Sequence, residues 1–313
     1  KLTLLRKNVN IHMIYLEIGL MGLFESRYPK HSEALVIGAE GLLGSALREY
    51  LVPIYNVVYG TSRRDQNRQG LIQFDLCNGF DELSKSAEKC NIAFICAGIT
   101  KATDCENNRA DSYSINVTYT LKVIKILQDL GVFVVWLSSN AVFSGKRPFC
   151  GLDEPYMPFS EYGRQKAEAE QEILKLSGVA IVRLTKVISK NAPLISSWID
   201  DLRAGKEIYP FSDVYFSPIS LNYATNAIAD VGCNLGSGIF NVSGSDDISY
   251  SDFARMLAIK LRVVDDLVKP ISKATANSTI FASGRYSSLD MKRIISILDI
   301  KPQPIASVME DIL

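Results

Sequence analysis

From residue 34 onward the chain alternates short apolar runs with longer stretches of helical period, and that rhythm leaves few architectures open. The runs 34–37, 57–61, 71–74, 92–96, 132–137 and 179–184 read as strands one to six. Between them, residues 42–51, 80–89, 112–130 and 161–177 carry apolar side chains at helical spacing, so βαβ units and a parallel sheet are expected. Right-handed crossovers then make a doubly wound α/β sheet the predicted fold. With 313 residues, 47% of them hydrophobic, the chain can bury one large domain and a smaller lobe.

The first strand runs directly into Gly38-Ala39-Glu40-Gly41-Leu42-Leu43-Gly44, and that segment opens the first helix. Each glycine has a separate reason in a dinucleotide site. Gly38 permits the tight turn, Gly41 lets a pyrophosphate approach the backbone N–H groups of the Leu42-Leu43 turn, and Gly44 lets the helix pack closely on its strand. A plain glycine-rich β–α turn is the competing reading. About 20 residues further on, a carboxylate would select the ribose hydroxyls of NAD. Here that place reads Thr61-Ser62-Arg63-Arg64. Hydroxyl and guanidinium groups suit a 2′-phosphate, which predicts NADPH as the preferred cofactor and NAD as the second candidate. The alternative is that Arg63 and Arg64 solvate a surface loop.

Ser138-Ser139 ends the fifth apolar run, and Tyr162-Gly163-Arg164-Gln165-Lys166 opens the next helix. Of the 14 tyrosines only Tyr162 has Lys four residues on, yet chance supplies roughly one such pair, so spacing alone proves nothing. Position adds the weight, because the carboxyl edge of a parallel sheet is where ligands bind. There Ser139 would hydrogen-bond a substrate carbonyl, Tyr162 would exchange its proton, and Lys166 would bind cofactor ribose and tune the phenol. Serines that merely end a strand and a solvated lysine are the bland alternative.

Composition closes off other chemistry. Lys plus Arg (34) balances Asp plus Glu (34), so no field draws the protein to nucleic acid or an anionic membrane. The two histidines, His12 and His31, precede the first strand. A Ser-His-Asp hydrolase or a His-rich metal site is therefore not expected, and no metal is assigned. The six cysteines are scattered without a CxxC pair, as in a reduced, cytoplasmic protein. Residues 11–24 are mostly apolar but short of a membrane span and interrupted by His12 and Glu17. Neither a span nor a signal peptide is expected of the 1–32 extension; an accessory helix or a poorly ordered segment is.

After Thr185 the rhythm changes. The Rossmann-type domain is expected over 33–188, with 217–244 packing back onto it as a helix (221–232) and a short strand (239–242). Residues 189–216 and 245–313 are expected to form the smaller lobe, with a helix over 250–261 capped by Ser249 or Ser251.

These motifs resemble the extended short-chain dehydrogenase/reductase superfamily from about residue 34 to the end. Ser138-Ser139-Asn140-Ala141-Val142-Phe143-Ser144-Gly145 and Glu161-Tyr162-Gly163-Arg164-Gln165-Lys166-Ala167-Glu168 are similar to the dTDP-4-dehydrorhamnose reductase family. So are Ser217-Pro218-Ile219-Ser220, 238–244 and Arg285-Tyr286-Ser287-Ser288-Leu289-Asp290. The resemblance implies NADPH-dependent reduction of a 4-keto-6-deoxy nucleotide sugar, with Ser139, Tyr162 and Lys166 catalytic and a smaller substrate-binding lobe. It further implies that Asp75 and Leu76 meet adenine, that Cys96-Ala97-Gly98 line the cofactor, that Asn116 supports the site, and that Arg285 lies near the substrate diphosphate. Ser138, Asn140, Ala141 and Lys186 fall at substrate-side positions. The family usually has an acid and an aromatic where this chain has Asn140 and Ala141, and Trp where it has Lys186, which leaves the sugar open. The missing Asp-Glu pair after Ser139 argues against a 4,6-dehydratase. Two alternatives stand beside the reductase: an epimerase with retained NAD, and a cofactor-binding regulatory subunit without catalysis. The oligomeric state is open, a homodimer being one candidate.

Overall fold

A computed structural model describes residues 32–64, 70–274 and 284–313. The expected 1–32 extension lies outside them but for its last residue. Seven strands form a fully parallel sheet: β1 (Glu33–Ile37), β2 (Val57–Ser62), β3 (Leu71–Gln73), β4 (Ile92–Ile95), β5 (Phe133–Ser139), β6 (Val179–Leu184) and β10 (Gly238–Val242). Their order is β10-β6-β5-β4-β1-β2-β3, so the winding reverses between β1 and β4 and opens a crevice at their carboxyl ends.

Strand alternation divides the core into two layers. In β1, Ala34 and Val36 join the cluster containing Leu47 and Leu51 of α1 (Leu42–Leu51), whereas Leu35 and Ile37 join the opposite cluster. The second layer is closed by α2 (Phe80–Ala87), α5 (Thr120–Asp129) and α6 (Glu161–Ile173), the last through Ala169 and Ile173. Two short helices, α3 (Ala102–Asn107) and α4 (Arg109–Tyr113), follow β4.

The helix expected over 112–130 is present, running from Arg109 to Asp129, but its middle is not α-helical. Residues Ser114–Tyr119 form a π-helical turn between α4 and α5, and the Thr120 hydroxyl donates to the Ile115 carbonyl at 2.8 Å across it. The helix expected to reach 177 stops at Ile173. The short strand expected over 239–242 becomes β10, pairing in parallel with β6 from Gly238↔Ala180 to Val242↔Leu184.

Beyond β6 the chain forms β7 (Lys186–Ile188), α7 (Pro193–Arg203), β8 (Tyr215–Phe216) and β9 (Pro218–Ser220), then α8 (Leu221–Asn234). β7 pairs in parallel with β9, and α8 packs Ala224, Ile228 and Val231 into the α1 layer. After β10 come β11 (Ile248–Ser249), antiparallel to β8, then α9 (Tyr250–Leu261), α10 (Lys292–Leu298) and α11 (Ile305–Ile312). Ser249 caps α9, accepting from the Asp252 N–H at 3.0 Å. A third cluster joins Trp198 and Leu202 of α7 to Phe253 and Leu257 of α9 and Met309 of α11, away from the sheet.

Candidate active site

The turn after β1 is built around close backbone approaches. Gly38 adopts φ 86°, and a Cβ on it would lie 2.8 Å from the Ala97 nitrogen. A Cβ on Gly44 would lie 2.1 Å from the Gly38 carbonyl oxygen, so helix and turn touch only because both residues lack side chains. Gly41 differs: a Cβ there would meet nothing nearer than 3.4 Å. Packing does not demand a glycine at that point; leaving the crevice wall bare does. Gly41 caps α1 without a side-chain hydrogen bond, which leaves the first-turn N–H groups at Leu42 and Leu43 suited to an anion.

A cavity of about 620 Å³ lies along this turn. Gly38, Gly41, Ser62, Arg63, Arg64, Asp75, Leu76, Cys96, Ala97 and Gly98, each expected at a cofactor, all line it. Of the others, Gly44 is buried beneath the turn and Leu42 is exposed. The size, the bare glycine wall and the helix N-terminus fit a nicotinamide dinucleotide. Glu40 also lines the cavity, and its Oε2 accepts a hydrogen bond from the Ser62 hydroxyl at 2.6 Å. Sequence reasoning passed over Glu40, although its place between Gly38 and Gly41 was the available signal.

Asn116 stands behind the wall. Its Oδ1 accepts from the Ile99 N–H at 2.8 Å, and its Nδ2 donates to the Ile99 carbonyl at 2.9 Å and to Gln165 Oε1 at 2.8 Å. The π-helical turn therefore supplies a buried amide that fixes the loop after β4 to α6. Gln165, fully buried, continues the chain to Ser112 and Glu161, at 2.9 and 2.8 Å.

α6 carries the titrating groups. Ser160 caps it by accepting from the Gly163 N–H at 3.1 Å, and a Cβ on Gly163 would meet the Ala141 carbonyl oxygen at 2.2 Å. That contact presses the first turn of α6 against the end of β5, where Ser139 stands. The Tyr162 phenol is pushed up to about 12, chiefly by burial, with a hydrogen bond to Ser139 acting the other way. The Lys166 ammonium is brought down to about 8, again chiefly by burial, while the Glu170 carboxylate opposes the shift. Lys166 Nζ donates to the Leu137 carbonyl at 2.8 Å and lies 4.3 Å from the Trp136 ring centroid and 5.9 Å from that of Tyr162. Its charge also acts on the Cys96 thiol in the cavity wall. Ser139, Tyr162 and Lys166 thus stand together where β5 ends and α6 begins, and the phenol is held protonated at neutral pH.

Beneath them lies a charged network that the sequence did not suggest. Glu170 and Arg183 are 0% exposed, and Arg183 Nη2 meets Glu170 Oε2 at 2.6 Å. Ser138 donates to Glu170 Oε1, and the Tyr156 hydroxyl donates to Oε2 at 2.9 Å. Ser138 is therefore a buried support beneath Ser139 rather than an exposed substrate contact. The Arg183 guanidinium also lies 4.8 Å from the Phe143 ring centroid.

The remaining substrate-side positions separate. Asn140 and Ala141 form a short 3₁₀ turn directly after Ser139. Lys186 is exposed on β7. Arg285 lines a second cavity of about 370 Å³ with Asp213, Tyr215 and Lys273, and its guanidinium lies 5.2 Å from the Tyr215 ring centroid. Asp247 fixes the following residues by accepting from the Ser287 N–H at 2.6 Å and the Ser288 N–H at 3.1 Å. All six cysteines are free. Among the described residues no group of three or more His, Cys, Asp or Glu is placed to hold a metal ion, and no helix is long and apolar enough to cross a membrane.

A wholly parallel sheet with a glycine turn at its switch point, and serine, tyrosine and lysine at the ends of β5 and α6, is the arrangement of an extended short-chain dehydrogenase/reductase. Within that class the chain belongs to the RmlD substrate binding domain family, whose model matches residues 32–313. It is 24% identical over 270 residues to methionine adenosyltransferase 2 subunit beta of Xenopus laevis, covering 79% of this chain and 77% of that protein. In the bovine copy of that subunit the match spans 54% of the protein. It is 25% identical over 170 residues to dTDP-4-dehydrorhamnose reductase of Sinorhizobium fredii (strain NBRC 101917 / NGR234), covering 51% of this chain and 57% of that enzyme. Its fold matches dTDP-4-dehydrorhamnose reductase from Bacillus anthracis in complex with NADP, with TM-score 0.78 and 22% identity, over 90% of this chain and 97% of that one.

Proposed function

We propose that this protein is a cytoplasmic, NADPH-dependent reductase of a 4-keto-6-deoxy nucleotide sugar, with the cofactor in the glycine-turn crevice and the sugar beneath a lobe formed by 189–216 and 245–313. The observation that carries the reading is the grouping of Ser139 at the end of β5 with Tyr162 and Lys166 on the first turns of α6, Lys166 Nζ lying 5.9 Å from the Tyr162 ring centroid. When bound, the nicotinamide supplies a hydride to the carbonyl carbon. Ser139 donates a hydrogen bond to the carbonyl oxygen, and Tyr162 gives that oxygen its proton. Lys166 holds the ribose and offsets the charge left on the phenolate. Arg285 takes the substrate diphosphate.

The test is oxidation of NADPH with a panel of dTDP-, UDP- and GDP-linked 4-keto-6-deoxy sugars. Turnover of one of them supports the reading. Bound dinucleotide with no turnover on any would sink it. Arg63 and Arg64 are assigned to the 2′-phosphate, so replacing both with Ala is expected to weaken NADPH binding ~10-fold or more and to change NADH little. Equal loss of both would refute that assignment.

A second reading, a cofactor-binding regulatory subunit, is favoured by the similarity to methionine adenosyltransferase 2 subunit beta over 79% of the chain. Asn140 and Ala141 after Ser139 agree with it, since they depart from the reductase pattern. Its mark would be dinucleotide binding without turnover, together with a changed rate in a partner enzyme.

A further inference from the structure

We infer that Glu40, from within the glycine turn, sets which dinucleotide the crevice accepts: its carboxylate takes the adenosine ribose hydroxyls of the unphosphorylated cofactor and keeps NADH usable beside NADPH. The inference rests on the dinucleotide reading of the crevice.

The usual place for such a carboxylate is the end of β2, and here that end carries Ser62, Arg63 and Arg64. Glu40 reaches the same point from the neighbouring strand. The Gly38 N–H donates to the Thr61 hydroxyl at 3.0 Å and the Ala39 N–H to the Thr61 carbonyl at 3.1 Å. These bonds lock the turn after β1 to the end of β2. Ser62, 3% exposed, then directs its hydroxyl proton to Glu40 Oε2 at 2.6 Å while accepting from the Arg64 N–H at 3.0 Å. The Ser62 hydroxyl is thereby committed within the protein, not held out to a phosphate.

The resulting wall carries both signs of charge, with Glu40, Arg63 and Arg64 all lining the cavity. A carboxylate only accepts hydrogen bonds. It can pair with the two ribose hydroxyls, and it repels a 2′-phosphate that the guanidinium groups attract. The chain therefore holds a compromise in which neither dinucleotide is strongly excluded.

The experiment is equilibrium titration of the protein with NADPH and with NADH, without substrate, for the wild type and for Glu40→Gln. Glu40 is exposed and Gln preserves its shape and its bond from Ser62, so an unchanged Tm is the check on folding. The wild type is expected to bind the two dinucleotides within ~10-fold of each other. Glu40→Gln is expected to tighten NADPH ~10-fold without tightening NADH, the scale of removing one like charge beside a phosphate at a screened site. Equal shifts for both dinucleotides, or none, would overturn the inference. Binding of neither by the wild type would overturn it too, along with the dinucleotide reading. Binding is read without turnover, so a protein that shows this selectivity and reduces no sugar would remove the reductase reading and leave the role of Glu40 standing.

Discussion

Tyr162→Phe is expected to lower keto-sugar turnover ~10²-fold or more while leaving dinucleotide affinity within about twofold, the scale of lost general acid catalysis. The substitution removes one hydroxyl and keeps the ring that lies 5.9 Å from Lys166 Nζ. Protein charge near neutral pH does not change, because burial pushes the phenol up to about 12. Any loss then reports the missing proton rather than altered electrostatics. In the proposed mechanism Ser139 and Lys166 would still position the carbonyl and the ribose, so residual activity above background is expected. The discriminating measurement is single-turnover hydride transfer beside a binding titration. A mutant that transfers hydride at the wild-type rate would remove Tyr162 from the chemistry.

Glu170→Gln is expected to destabilise the fold by about 3–5 kcal/mol, the usual consequence of leaving one buried charge without its partner. Arg183 is 1% exposed at its side chain and Glu170 is 0%, so water cannot replace the lost carboxylate. Tyr156 and Ser138 would each lose a charge-assisted acceptor as well. The double variant Glu170→Leu with Arg183→Met removes both charges together and is expected to recover most of the loss. Thermal or urea unfolding of the three proteins decides the matter. If the single substitution is as stable as wild type, the pair does not hold the ends of β5 and β6 together. Its effect should also reach the site, since Ser138 anchors the strand directly before Ser139 and Glu170 opposes the fall of the Lys166 ammonium.

The features legible in the sequence were those whose causes are local. Gly38, Gly41 and Gly44 each answer a steric demand within one turn, and the strand-helix alternation rests on periodicities of two and 3.6. Placing Ser139 and Tyr162 at one sheet edge needed only the order of elements. What escaped depends on partners far along the chain. Glu40 meets Ser62 across 22 positions, and nothing in Gly-Ala-Glu-Gly announces that contact. Arg183 sits inside an otherwise apolar strand, and its partner is one of several acids on a helix rich in them. The π-helical turn at Ser114–Tyr119 was hidden because one extra residue in a turn barely disturbs an apolar stripe. The place of β10 was hidden because pairing is set by which edge is open, not by the strand's own residues.

That last strand bears on how the protein comes into being. The edge of β6 is complete by residue 184 but is covered only by residues 238–242, after α7 and α8 have been made. During synthesis an apolar parallel edge therefore waits, unpaired, for more than fifty further residues to leave the ribosome. The seven-stranded sheet cannot finish before the segment that follows β6 has been made as far as β10. A cut drawn between β6 and β10 in the sequence would leave a sticky edge rather than an independent domain.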